Sequence, residues 1–458
     1  MGVPTNNKLY RICDRLVMFL LCVLMADCAI FGSGRTVSVG PLGFRMVLLG
    51  VILAASVPLI VRQFPQLIKN RFLWLLAAFA GWLVLATVLG IVRGNSSSLL
   101  AGDLKGFAYF AAVLPVLCVL NTKDRIHKLM QVIMYASAVL AVATPVLVFM
   151  YNWVPSAFTW LVSHDSAHDI TMFAAVSSKI PRLFYKSTPY FLCGCAFPIY
   201  FCLTQQQKKF RWHYAVIAGL SLFALLLSYT RSIYLAVGIA AAFLVAVLYL
   251  AVDRSTRVHL AKALGGAVLS CVLLIAVCSV VLQANYFGYA LDRLGVTFAQ
   301  TDPGSMDAPD PGTSTDPSEE NPGETDRFQN DTIESDKFRA LTMAELNQNI
   351  RSSPIWGHGL GKALEVREGL ANEYIYHDIW MKTGIIGLAL FFAPMVLLVA
   401  ATVKKIKTEP AAVRLRVPWL AVLLGFMVFS YFNPYMNAAL GILFYCCTIG
   451  VFCADHTT

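Results

Sequence analysis

Long apolar runs recur from one end of this chain to the other, and they constrain its fold more than any single motif does. They occupy residues 16–31, 46–61, 72–92, 107–120, 129–150, 190–203, 214–228, 233–252, 264–282, 379–401, 417–432 and 436–452. A hydrocarbon core of about 30 Å asks for roughly 20 apolar residues of helix, and several runs are shorter, so the expectation is about twelve spans. In lipid every backbone N–H and C=O must be satisfied within the chain, which leaves helices or closed barrels. The runs are continuous rather than alternating, which argues against barrel strands. A soluble domain of 458 residues, 58% hydrophobic and only 14% charged, could not cover so much apolar surface. The expected fold is an all-α polytopic membrane protein. Residues 1–282 carry nine spans with an outer loop near 151–189, residues 283–378 form a large outer loop, and residues 379–458 carry the last three spans.

The net charge of +10 has a topological distribution. Lys8, Arg11 and Arg15 precede the first run; Arg62, Lys69 and Arg71 lie between the second and third; Lys123, Arg125 and Lys128 between the fourth and fifth. Lys208, Lys209 and Arg211 follow the sixth run, Arg254, Arg257 and Lys262 the eighth, and Lys404, Lys405, Lys407, Arg414 and Arg416 the tenth. Every second connection is basic, which is the positive-inside pattern. It places both termini in the cytoplasm and both long loops outside. The positive charge thus reads as topology and contact with anionic membrane lipids, and nucleic acid is not an expected partner. The first run carries Asp27 and shows no small-residue cleavage site, so it reads as a retained anchor. The twelve cysteines fall in or beside apolar runs and read as small buried hydrophobes.

The large loop divides in three. Residues 301–336 are rich in Asp, Glu, Pro, Gly, Ser and Thr and read as unstructured. Ser335 can cap a helix whose apolar face runs through Phe338, Leu341, Leu346 and Ile350. Pro354 and the glycines of Trp356-Gly-His-Gly-Leu-Gly361 end it, and a second helix is expected from near Ala363 through Glu373 and His377. No Gly-rich nucleotide loop lies on the cytoplasmic side, so ATP-driven transport is not expected.

Candidate chemistry gathers on the outer face. Arg231, in Ser228-Tyr-Thr-Arg231-Ser, occupies a very short outer turn. A guanidinium there has two uses, snorkelling to lipid phosphate or binding an anionic substrate. Lys179, Arg182 and Lys186 put three cations just before the sixth run, again suited to a phosphate or to plain anchoring. Arg339 opens the loop helix. Glu373 and His377 are four apart and would share a helical face, where a carboxylate can orient an imidazole as a general base. His358 stands in the glycine turn. His164 and His168 have a spacing that zinc could use, but the zincin Glu and a third ligand are missing, so no metal is expected.

Taken in order, these pieces resemble the O-antigen ligase and polymerase family of bacterial envelope glycosyltransferases. Arg182 lies before a span, Ser-Tyr-Thr-Arg231 at a short outer turn, and Phe338-Arg339 opens a helix in a large outer loop. Ser353-Pro-Ile-Trp-Gly-His-Gly-Leu-Gly361 follows, then a His-bearing segment that enters a span through Gly384-Ile-Ile-Gly387. The resemblance covers roughly residues 181–390. One departure concerns spacing: the family's His usually precedes the glycine pair by more residues than His377 precedes Gly384, and in that register Glu373 falls near the family position.

The resemblance implies a GT-C-like glycosyltransferase of the bacterial inner membrane with a periplasmic site. It implies an undecaprenyl-diphosphate-linked glycan donor, a lipid A-core or glycan acceptor, no cofactor and no metal. The reaction would be an inverting displacement, with His377 as base, Arg231 and Arg339 on the diphosphate, and Arg182, Lys179, Lys186, Glu373 and His358 toward diphosphate or glycan. Ligase and polymerase differ in acceptor, which the sequence does not name. A lipid-glycan transporter is the alternative of a different class; it would place ionisable residues along a path at mid-membrane, whereas here the polar candidates cluster on one face.

Overall fold

The computed structural model describes residues 8–32, 38–39, 42–167, 171–175, 179–204, 211–291, 324–366 and 372–454. Each of the apolar runs is occupied by a helix. Among the described residues, eight helices are long and apolar enough to cross a membrane. They are α2 (Phe44–Leu67), α3 (Arg71–Val92), the stretch Ser97–Val119, α6 (Lys123–Trp153), α10 (Arg231–Ala251), α11 (Arg254–Leu282), α14 (Ile375–Lys405) and α15 (Pro410–Ser430). The stretch Ser97–Val119 consists of α4 (Ser97–Phe107), a 3-10 turn (Ala108–Ala112) and α5 (Val113–Val119). Shorter apolar helices are α8 (Phe191–Thr204), α9 (Trp212–Leu226) and α16 (Ala439–Cys453). The protein is an all-α, multi-pass membrane protein.

Helix α1 (Lys8–Phe31) carries acids within its apolar length. Both are paired: Arg125 holds Asp14, with one contact at 2.8 Å, and Arg45 holds Asp27. A charge removed from water is tolerated when it is paired and hydrogen-bonded.

Helix α15 is the hub. It packs against α8, α10 and α16, and 78% of its apolar window is buried, against 22% for α11. Its Trp419 and Phe426 stack on Phe444 of α16 at 5.2 and 5.1 Å. On α11, by contrast, Val268, Leu269, Val272 and Leu273 are all more than half exposed. Such a face would be a fault in water and is the ordinary lipid-facing surface of a span.

Several features of the long connecting segments differ from the sequence expectation. A short antiparallel pair, β1 (Ser38–Val39) with β2 (Leu42–Gly43), precedes α2, and the first long loop contains α7 (Pro155–Ala167) and an antiparallel hairpin of β3 (Thr171–Ala175) with β4 (Pro181–Tyr185), pairing Ala174 with Arg182 and Thr171 with Tyr185. The loop helix α13 begins at Glu324 rather than near Ser335, and runs to Ser352. It starts inside the stretch 301–336 that reads as unstructured; residues 301–323 lie outside the described residues. No Pro or Gly falls within Glu324–Ser352, and its acids concentrate toward the N-terminal end, where the helix dipole favours them.

The buried stripe of α13 is Thr342, Leu346 and Ile350, and the last two pack with Leu364, Tyr374 and Met381. Phe338 and Leu341, expected on that face, are exposed. Of the helix expected from Ala363, residues 363–366 are not helical and 367–371 lie outside the described residues; α14 starts at Ile375. The Glu345 carboxylate accepts the N–H groups of Glu365 and Val366 at 2.7 and 3.0 Å, which holds that segment as a turn.

Candidate active site

The site is built on a broken helix. Gly384, inside α14, has φ 68° and ψ 179°. A break within a span leaves carbonyls without their helical donors, which is costly in lipid. Here the glycine turn supplies donors. His358 N–H reaches the Met381 carbonyl at 2.7 Å and Gly359 N–H reaches that of Lys382 at 2.9 Å. The Trp82 indole N–H takes the Thr383 carbonyl at 2.7 Å, and Ile385 N–H returns to the Pro354 carbonyl at 2.9 Å. Gly357, Gly359 and Gly361 all have positive φ, and a Cβ on Gly359 would collide with the α3 backbone at Gly90. Asn95, just beyond α3, donates to the carbonyls of His358 and Leu360, each at 3.0 Å.

His358 belongs to this support. Its Nε2 lies 2.9 Å from both the Asn349 carbonyl and Ser352 Oγ, and its Nδ1 lies 3.3 Å from Arg93. It ties the turn to α13 and α3.

The arginine turn is braced from the hairpin. Arg182 on β4 donates from Nε to the Ser228 carbonyl at 3.0 Å and from a terminal nitrogen to Thr230 Oγ1 at 3.3 Å. Two pieces separated in sequence are thereby one unit. Between them Tyr229 takes φ 45°, a region that side chains rarely adopt and that persists only where surroundings impose it. Its buried ring sits edge-on to Tyr289 at 4.9 Å. Arg231 then opens α10, where the first-turn N–H groups and a guanidinium both favour an anion.

His377 lies in the first turn of α14. Its half-buried ring stands edge-on to Tyr431 at 5.6 Å and to Tyr374 at 6.2 Å, and its Nδ1 is buried with no hydrogen-bond partner among the described residues. Glu373 does not share a helical face with it, because the helix starts at Ile375 and Glu373 lies in the bend before it. The carboxylate turns instead to Arg339, at 3.3 Å from Nε. That pair is 48% and 33% exposed, so its net stabilisation is about 0–1 kcal/mol. It positions rather than stabilises.

Residues 431–433 connect the two halves. Tyr431 touches the His377 ring, and the Asn433 amide donates to Ser232 Oγ, beside Arg231, at 3.3 Å. A continuous chain of contacts thus runs from Arg182 through the 228–231 turn, residues 431–433 and His377 to Tyr374, Glu373 and Arg339.

Lys179 and Lys186 flank this chain. The Lys179 side chain is exposed, and its carbonyl accepts from the Tyr286 hydroxyl at 2.8 Å and the Asn152 amide at 3.1 Å. Lys186 is half-buried where Gly32, after α1, packs on the Lys186–Ser187 backbone. His164 stacks on Trp160, while His168 lies outside the described residues. Among the described residues no group of three His, Cys, Asp or Glu side chains is arranged to hold a metal ion.

A buried ionic group beside His377 escapes a reading of the sequence. Lys382 donates to Asp103 of α4 at 2.9 Å and to Asp378 at 2.8 Å; Asn372 donates to the other Asp378 oxygen, and Gly361 N–H to the other Asp103 oxygen at 2.9 Å. The i,i+4 spacing of Asp378 and Lys382 was a visible signal, as was the acid Asp103 at the edge of an apolar run.

No curated protein matches the chain. Residues 216–392 match the sequence model of the family described as O-antigen ligase. The matched segment contains Arg231, Arg339, the glycine turn and His377, and leaves Arg182 outside it. The resemblance read from the sequence therefore holds over the residues that form most of this site, and the chain is a multi-pass membrane protein with a segment similar to the O-antigen ligase family.

Proposed function

We propose that this protein is an O-antigen ligase-type glycosyltransferase of the bacterial inner membrane. It moves a glycan from undecaprenyl diphosphate to lipid A-core on the periplasmic face, with twelve spans, a GT-C-like arrangement and both termini cytoplasmic. The observation that carries the reading is the chain of contacts that brings the Arg182-braced arginine turn and His377 to one rim.

An acceptor hydroxyl attacks the anomeric carbon of the donor sugar from the face opposite the diphosphate. The new C–O bond forms as the bond to the diphosphate oxygen breaks, and the leaving group departs with the electron pair. The hydroxyl proton passes to the His377 imidazole, a step worth about 10²–10⁴ in rate for a positioned base. Arg231 and Arg339 hold the diphosphate as its charge grows, and each such donor is worth roughly 10²–10³. Arg182 acts through the turn it braces. Lys179 and Lys186 add positive potential for the anionic donor, and Glu373 sets Arg339.

The test is the envelope glycan profile of a deletion strain complemented with wild type, His377→Ala or Arg231→Ala. Core without long chains, with lipid-linked polymer accumulating, is expected for the deletion and for both variants at normal protein level. Single repeats attached to core would make the protein a polymerase of the same family. An unchanged profile in the deletion strain would remove the transferase reading. Full complementation by His377→Ala would end the base assignment and make Glu373 the next residue to replace.

A further inference from the structure

The ionic group of Asp103, Lys382 and Asp378 borders a cavity of about 210 Å³ that the mechanism above does not use. Ser98, Gly102 and Asp103 of α4 form one side of it, and Asn372, Asp378 and Lys382 the other. That volume is below the roughly 300–1,000 Å³ of a drug-sized site and suits a single sugar ring.

Its chemistry is rich in acceptors. Each oxygen of Asp103 and Asp378 takes one donor from the protein, and a carboxylate oxygen has a second lone-pair direction. Asn372 is 5% exposed, and its amide oxygen is buried with no hydrogen-bond partner among the described residues. Buried polar atoms are normally satisfied, and this orphan belongs to a residue that borders the cavity. Lys382 and Lys362, which also borders the cavity, offset the two carboxylates. A phosphate would meet two carboxylates; a polyol with several O–H donors and no net charge would meet what it needs. Phe107 and Ile379 add apolar wall for the C–H face of a ring.

We infer that this cavity is a sugar subsite, and that it holds the acceptor's terminal unit. Asp378 follows His377 in the same turn of α14, about 100° further around the helix. His377 faces Tyr431 and the arginine side, whereas Asp378 faces the cavity. A sugar held by Asp378 and Asn372 lies beside the base, away from the diphosphate. The assignment to the acceptor, though not to a sugar, rests on the transferase reading.

The test uses the full chain in lipid nanodiscs, with core oligosaccharide released from lipopolysaccharide by mild acid as the probe and saturation-transfer NMR as the readout. Gly102→Phe adds a ring at a position that borders the cavity and where a Cβ meets no atom within 4 Å. Ser98→Phe, one turn earlier on α4, is a second blocking variant, and Gly102→Ala is the control. Wild type and Gly102→Ala should bind alike, and the blocking variants should lose at least about tenfold in affinity, the scale of a few lost hydrogen bonds. Equal binding by wild type and both blocked variants, or no binding by wild type, overturns the subsite. Binding that the blocking variants abolish, in a wild type that transfers nothing from lipid-linked donor, keeps the subsite and removes the transferase reading.

Discussion

Replacing Lys382 by Met removes one ammonium from between two carboxylates while keeping a side chain of similar length. Lys382 is 9% exposed, and its partners Asp103 and Asp378 are 14% and 5% exposed. At 2.9 and 2.8 Å the attraction to each partner is several kcal/mol even at an effective dielectric of about 20. Desolvation of three charges cancels most of that in the intact group. It does not cancel when one partner goes, because two like charges then stay buried without their counter-ion. Removing one member of such a pair costs about 3–5 kcal/mol. A cost of that size shifts the ratio of folded to unfolded protein by two to three and a half orders of magnitude, at about 1.4 kcal/mol per factor of ten. The assay is equilibrium unfolding in SDS mixed micelles, followed by tryptophan fluorescence. Lys382→Met should lose about 3–5 kcal/mol, and the neutral triple variant Asp103→Asn, Lys382→Met, Asp378→Asn should regain more than half of it. A single-variant loss below about 1 kcal/mol, or a triple variant no more stable than the single, would refute the account of a buried, mutually dependent group.

Two further perturbations read the supports of the site. Gly384→Ala puts a Cβ against the Ile355 carbonyl at a positive φ, so the variant should lose about 3 kcal/mol or more in the same unfolding assay, and an unchanged midpoint would show that the helix break tolerates a side chain. Arg182→Lys keeps the charge but loses the two-pronged brace on Ser228 and Thr230, so glycan transfer should fall about tenfold or more at equal protein level; transfer equal to wild type would show that only the charge matters at this position.

The Arg182 brace and the Glu373 turn show two different limits of reading the chain. Arg182 stands out in sequence as one of three cations before the sixth run and Arg231 as the cation of a very short turn, and the two segments are in contact in the structure. That they form one unit depends on β4, whose pairing with β3 has no signal strong enough to read: the hairpin has one short strand of small and apolar residues and one with Pro at its start. Glu373 and His377 have helical spacing, yet the helix begins two residues too late for it to matter. The decision is made at a distance. Asn372 is drawn onto Asp378, Asp378 onto Lys382, and Lys382 onto Asp103, which is 279 positions away in the chain.

The sequence alone determined that the chain is a bundle of membrane helices, and where those helices lie. In lipid each helix satisfies its own backbone, so an apolar run of sufficient length carries its structure within itself. It also determined the order of the candidate cations and of the glycine turn. Tertiary structure decided how α14 is broken, which carbonyls the glycine turn satisfies, which residue orients Arg339, and that Tyr431 faces His377. It also decided that two acids and a lysine border one cavity. These are contacts between segments far apart in the chain, and buried charge and broken helix are tolerable only when another element supplies the missing partner.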